Sequence, residues 1–156
     1  MEGNILRHTV ATVAYRGGKA LRGAPAEFAD YHATPGGRAP VQILAHIGDL
    51  FDWALLLADG KHDWHNATPL PWDQEVARFF AALTAFDRRL ASGEPLECPA
   101  EKLFQGPIAD ALTHVGQLAM LRRMAGCGTR GENYFRATIT AGRVGTDQAA
   151  PAFEFD

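Results

Sequence analysis

The chain has 156 residues, 47% of them hydrophobic and 21% charged, with a formal charge of −3 and a pI near 6.0. That length suits one domain, residues 1–156, able to bury a core without disulfide or metal staples. The acidic balance, with basic residues adjacent only at Arg88–Arg89 and Arg122–Arg123, argues against the basic face of a nucleic-acid module.

Two cysteines, Cys98 and Cys127, do not make a disulfide framework, and neither lies in a CxxC. Reduced thiols are the simpler reading, although spacing alone leaves one bridge open. The start, Met1-Glu2-Gly3-Asn4, lacks the basic stretch and apolar run of a signal peptide. No apolar run approaches the ~20 residues that span a bilayer. The expectation is a cytoplasmic protein that touches neither membrane nor nucleic acid.

In chain order, the first predicted helix runs from about Asn4, its cap, to Leu21. Leu6, Val10, Val13 and Ala14 form one stripe, while Gly17-Gly18 weakens the helix by ~1 kcal/mol per glycine relative to alanine. A loop follows to Ala39, in which Ala26 to Tyr31 can make one short helical turn. The second helix starts at Pro40, a residue suited to the first helical position, and runs to about Ala58, with Gly60 placed to end it. It is apolar nearly all round, which marks a central helix.

Residues 61–71 read as a loop holding His62, Trp64 and His65. The third helix, Trp72 to Ala91, places Val76, Phe79, Phe80, Leu83, Phe86 and Leu90 at amphipathic spacing, and Ser92-Gly93 closes it. An irregular connection, Glu94 to Gly106, leads to a fourth helix from about Pro107 to Ala125, with Gly126 just past its end. The remainder, about 129–156, reads as an irregular tail. Asn133 to Ile139 is a short helix or strand, and Ala149 to Asp156 is loose or lies across the surface. Four helices with no clear strand pattern predict an all-α, four-helix bundle.

Within the fourth helix, Asp110 and His114 are spaced i, i+4, so one helix face carries both with Cβ atoms ~6 Å apart. A charged Asp facing a core is costly unless paired or metal-bound. His46 interrupts the apolar second helix. Bundle cores assemble metal sites from inward side chains on facing helices. Two nitrogens and one oxygen from His46, Asp110 and His114 leave a coordination position open, as in catalytic zinc sites. The plainer alternative is a structural polar cluster: a hydrogen-bonded core histidine, an acid favouring the helix dipole and a local His–Asp contact.

Asp49, one turn after His46, is a candidate outer partner for that histidine, or else an exposed surface acid. Gln117, one turn after His114, can orient a bound water or pack at the core edge. His62 and His65 can reach the mouth of a site or stay solvated, and His8 and His32 have no evident partner. Trp53, Trp64 and Trp72 read as packing anchors, one of which can line a pocket. Ser92 is the only serine, so serine catalysis is nearly excluded, and no P-loop, G-x-G-x-x-G, G-x-S-x-G or HExxH occurs.

Two stretches carry a family resemblance: Ala39-Pro-Val-Gln-Ile-Leu-Ala-His46-Ile-Gly-Asp49, and Asp110-Ala-Leu-Thr-His114-Val-Gly-Gln117 continuing to Arg122 and Gly126. They resemble the DinB/YfiT-like superfamily over roughly Asn4 to Gly126. The resemblance implies an up-down-down-up bundle, frequent homodimers and a divalent metal such as Zn or Ni. Its ligands map onto His46, His114 and, where the family usually has histidine, Asp110. Two histidines and one carboxylate also suit Fe(II). Members include thiol-dependent S-transferases and a mycothiol-dependent isomerase. The implied function is therefore a metal-dependent transferase, isomerase or hydrolase-like enzyme acting on a small molecule, with a low-molecular-weight thiol as partner. The alternative is a non-catalytic ligand-binding or stress-associated dimer.

Overall fold

The apolar run after Ala39 becomes the central helix. In a computed structural model, which describes residues 2–156 with side chains from Asn4 onward, this helix α2 spans Pro40–Ala58. Pro40 opens it, and the Gln42 side chain accepts a hydrogen bond from the Ala39 N–H at 2.8 Å. Gly60 closes it at φ 74°, a left-handed conformation that glycine adopts without Cβ strain. The Gly60 and Lys61 N–H groups then donate back to the Leu57 and Leu56 carbonyls, satisfying orphan acceptors of the last turn. By length and composition α2 passes for a membrane span, with mean hydropathy 1.4, a longer apolar run than the sequence reading credited. Yet 61% of that stretch is buried within the protein, which accounts for its apolarity.

The protein is mostly helical. The other long helices are α1 (Glu2–Leu21), α3 (Trp72–Ala91) and α5 (Ala109–Met124). α1 begins before Asn4, so Asn4 lies inside the first turn and does not cap it. α2 packs on α3 and α5, and α1 packs on the same two helices. Phe51, Phe79, Phe86, Leu83 and Val10, each fully buried, fill the space between them. Burying each such side chain contributes ~1.5–3 kcal/mol, an upper figure because unfolded chains already hide some surface. Gly17 has a packing reason: a Cβ there would lie 2.6 Å from Phe79 Cζ.

The stretch expected to be irregular, Glu94 to Gly106, is helical from Ala100. A short α4 (Ala100–Leu103) continues through a π-helical turn, Phe104–Ile108, into α5. Pro107 lies inside this turn. Proline has no N–H to donate and its ring crowds the carbonyl of the preceding turn, and widening that turn relieves both. Pro107 therefore marks a local π turn and not the helix start. At the other end, Gly126 has φ 79° and closes α5 as expected.

The tail is more ordered than expected. Residues Gly131–Glu132 (β1) pair antiparallel with Glu154–Phe155 (β2), with Gly131 opposite Phe155. Tyr134–Arg136 form one 3-10 turn, and Ala26–Asp30 form another in the loop before α2. Glu132 anchors the ribbon to α1: it is buried, accepts a hydrogen bond from the Tyr15 hydroxyl and lies 2.6 Å from Lys19 Nζ. Lys19 also reaches Glu154 at 2.9 Å.

Candidate metal centre

Packing of α2 on α5 brings His46 against the Asp110–His114 pair. The two imidazole centroids are 4.6 Å apart, at 58°. Asp110 bridges them, with Oδ2 at 3.5 Å from His46 Nε2 and Oδ1 at 3.3 Å from His114 Nδ1. Buried Ile43, Leu44 and Ile47 hold this part of α2 in register, and Ala111, Val115 and Leu118 do the same for α5.

One hydrogen bond decides what His114 can offer. Its Nδ1 lies 2.7 Å from the Asp110 backbone carbonyl. A carbonyl only accepts, so this contact is a hydrogen bond when Nδ1 carries the proton, the tautomer in which Nε2 is the nitrogen able to ligate. This is the outer contact that orients ligand histidines, supplied here by the helix's own backbone.

One ring nitrogen of His46, one of His114 and a carboxylate oxygen of Asp110 lie within 4.8 Å of one another. Zinc bonds of about 2.0–2.2 Å put tetrahedral ligand atoms roughly 3.4 Å apart. Small side-chain adjustments close the difference, so the three residues fit a divalent cation. The Asp110 side chain is 45% exposed, against 22% for His46 and 12% for His114. Its charge thus lies at the rim and is solvated, which corrects the expectation of a costly carboxylate facing the core.

Burial holds the His46 pKa below the ordinary histidine value, and the neighbouring His114 and Arg38 push the same way against the opposing pull of Asp110. His46 is therefore neutral at neutral pH, the form that coordinates.

Asp49 fits neither sequence reading. It is buried, and it accepts from Arg78 Nη2 at 2.6 Å and from the Ala67 N–H at 3.2 Å, so it is neither a surface acid nor the partner of His46. Arg78 also reaches Asp52 at 2.8 Å and the Ala45 carbonyl at 3.1 Å. The guanidinium lies across Gly48, where a Cβ would be 2.7 Å from Nη1.

The Ala67–Asp49 bond draws the segment after α2 back over the site. Trp64 consequently packs edge-on to His46 and to Trp53, with centroids 5.6 Å apart in both cases. Of the three tryptophans that the sequence reads as packing anchors, one of them able to line a pocket, Trp64 is the one against His46.

Gln117 is exposed and shares a groove of about 370 Å³ with His114, Arg38, Ile43, Met120 and Leu121. Arg38 went unnoticed in the sequence. His62 and His65 are exposed and lie outside the cluster, as does His8, and His32 contacts the Gly37 carbonyl through Nδ1 at 3.0 Å. Cys98 and Cys127 are free thiols, and burial raises the Cys98 pKa, so that thiol resists ionisation. Another cavity, about 340 Å³, lies against Leu21, Arg22, Trp72, Val76 and Phe80, with no ligating cluster there among the described residues.

No protein-family model, no curated protein and no solved structure matches the chain.

Proposed function

We propose that this chain holds a divalent cation on His46, Asp110 and His114 and is a metal-dependent enzyme of the DinB/YfiT-like kind, acting on a small molecule with a low-molecular-weight thiol. The convergence of three potentially ligating groups from two helices carries the reading. His46 and His114 supply nitrogens and Asp110 an oxygen, a set suited to Zn or Ni and also to Fe(II). Held there, such a cation would supply a Lewis acid that favours the thiolate form of a small thiol. Asp110, at the rim, leaves the site accessible, and Trp64 covers its His46 side.

Pairwise contacts support the up-down-down-up order. Arg78, early in α3, reaches Ala45 and Asp49, and Arg89, late in α3, reaches Asp59 at 2.6 Å, as expected if α2 and α3 run parallel. The thirteen residues 59–71 span up to ~43 Å extended, enough to return along a 19-residue helix of ~28 Å. Arg7, early in α1, meets Asp87, late in α3, at 2.9 Å, and Arg122, late in α5, meets the Ala20 carbonyl at 3.0 Å. Those contacts suit α1 and α5 running together, opposite to α2 and α3. A homodimer and a cytoplasmic location complete the reading. Ile5 and Phe104, exposed side by side, offer an apolar face for a second copy.

The test is metal content after purification without added metal, followed by zinc titration of stripped protein. One ion per chain, lost when His46 or His114 is replaced by alanine, is the expected result. No ion bound at any zinc concentration would leave the trio as a structural polar cluster.

A further inference from the structure

The groove beside His114 combines a cation with an apolar wall. Its lining includes Arg38, the apolar side chains of Ile43, Met120 and Leu121, and Gln117 and His114. Several arginines are held within the protein: Arg7 by Asp87, Arg78 by Asp49 and Asp52, Arg89 by Asp59, Arg122 by backbone carbonyls. Among the described residues Arg38, like Arg22, Arg88, Arg123 and Arg130, makes no such ion pair or hydrogen bond, and of these it is the one that lines the groove shared with His114. An arginine presents a planar fork of donors that matches a carboxylate. Gln117 adds a neutral donor and acceptor on the same side chain. Met120, 56% exposed, has a flexible thioether side chain that adapts to varied apolar shapes.

We propose that this groove binds a small organic acid with an apolar body, its carboxylate paired with Arg38 and its body on Ile43, Met120 and Leu121. The inference rests on the cation-site reading for its functional meaning, because His114 lines the same groove. The acid end is selected locally by Arg38, against the negative charge of the chain as a whole. A neutral analogue of the same shape keeps the apolar contacts and loses only the ion pair. An ion pair at an exposed site is worth at most about a fivefold change in affinity, more if both fork donors engage.

The experiment uses metal-stripped full-length protein, so that direct ligation of the acid by a cation contributes nothing. Phenylacetate and phenylacetamide are titrated calorimetrically into the wild type, Arg38→Gln and Arg38→Lys, with circular dichroism verifying that each is folded. Arg38 is exposed and not part of the core, so both variants are expected to fold. Phenylacetate is expected to bind the wild type about fivefold more tightly than phenylacetamide. The preference should vanish in Arg38→Gln, return in part in Arg38→Lys and shrink with added salt. Equal binding of the two probes, no binding of either, or an undiminished preference in Arg38→Gln overturns the inference. Zinc titration of the same proteins separates the two readings. A lasting acid preference without zinc binding removes the cation site alone, and zinc binding without an Arg38-dependent preference removes the acid site alone.

Discussion

Asp110 is the residue at which metal binding and simple packing make different demands. Without metal, its carboxylate contacts the two histidines at 3.3 and 3.5 Å while 45% exposed. Contacts of that kind are worth ~1 kcal/mol or less. Asp110→Ala should therefore lower the melting temperature of stripped protein by no more than about 4 °C, using ~2–4 °C per kcal/mol for a chain of this size.

Zinc at one hundred times the wild-type Kd stabilises the native state by ~2.7 kcal/mol, a rise of about 5–11 °C. Loss of one of three ligands is taken as at least ~100-fold in affinity, the upper end for losing only an outer partner. The same zinc then gives Asp110→Ala only ~0.4 kcal/mol, a rise of about 1–2 °C. Asp110→His restores a nitrogen ligand and should keep the large rise. Thermal unfolding followed by circular dichroism, with and without zinc, reads all three proteins. An equal rise in wild type and Asp110→Ala would refute Asp110 as a ligand.

The pH dependence has a definite sign. His46 has a folded pKa below the ordinary value of ~6.5, so above that pH the ring is neutral in both folded and unfolded chains. As pH falls through it, the unfolded chain takes up the proton first, and stripped protein loses stability. The zinc-induced rise should shrink over the same descent, because protons then compete with zinc for His46.

Four further outcomes are expected. Glu132→Gln should destabilise by about 2–3 kcal/mol in urea unfolding, less than the 3–5 of a fully broken buried pair because Lys19 keeps Glu154; an unchanged midpoint would show that the ribbon is not anchored there. Burial pulls the Lys19 pKa down, but its bonds to Glu132 and Glu154 outweigh this and leave it raised. Its contribution is therefore full below the ordinary lysine value of ~10.4 and lost as pH rises through the raised one, which an alkaline stability titration reads. Gly48→Ala should displace the Arg78 guanidinium at a cost of about 1–3 kcal/mol, less the ~1 kcal/mol that alanine gains over glycine inside α2, and a net gain of the full ~1 kcal/mol in the same unfolding would show that Arg78 moves freely. Light scattering should give twice the 16.9 kDa chain mass, and a monomer mass at all concentrations would reject the dimer.

Local rules carried the reading of α2 and α3, whose bounds, Pro40–Ala58 and Trp72–Ala91, match those expected. Hydrophobic period, a proline at the start and a glycine just past the end are all encoded within a few residues. The Asp110–His114 pair was legible for the same reason, since i, i+4 spacing puts two side chains on one face wherever the helix lies. Local rules failed at Pro107, where a proline that also suits a helix start occupies a π turn.

The sequence by itself determined a helical chain, its main helix ends and which side chains share a face, because backbone hydrogen bonding and amphipathic period act over short separations. Tertiary structure alone decided that His46 meets His114, that Asp49 is claimed by Arg78 twenty-nine positions away, and that Trp64 lies against His46. It also decided that Gly131 pairs with Phe155 near the chain's end. Those pairings depend on how helices and loops pack to bury apolar surface and satisfy buried charge, a balance over the whole core that no local window contains.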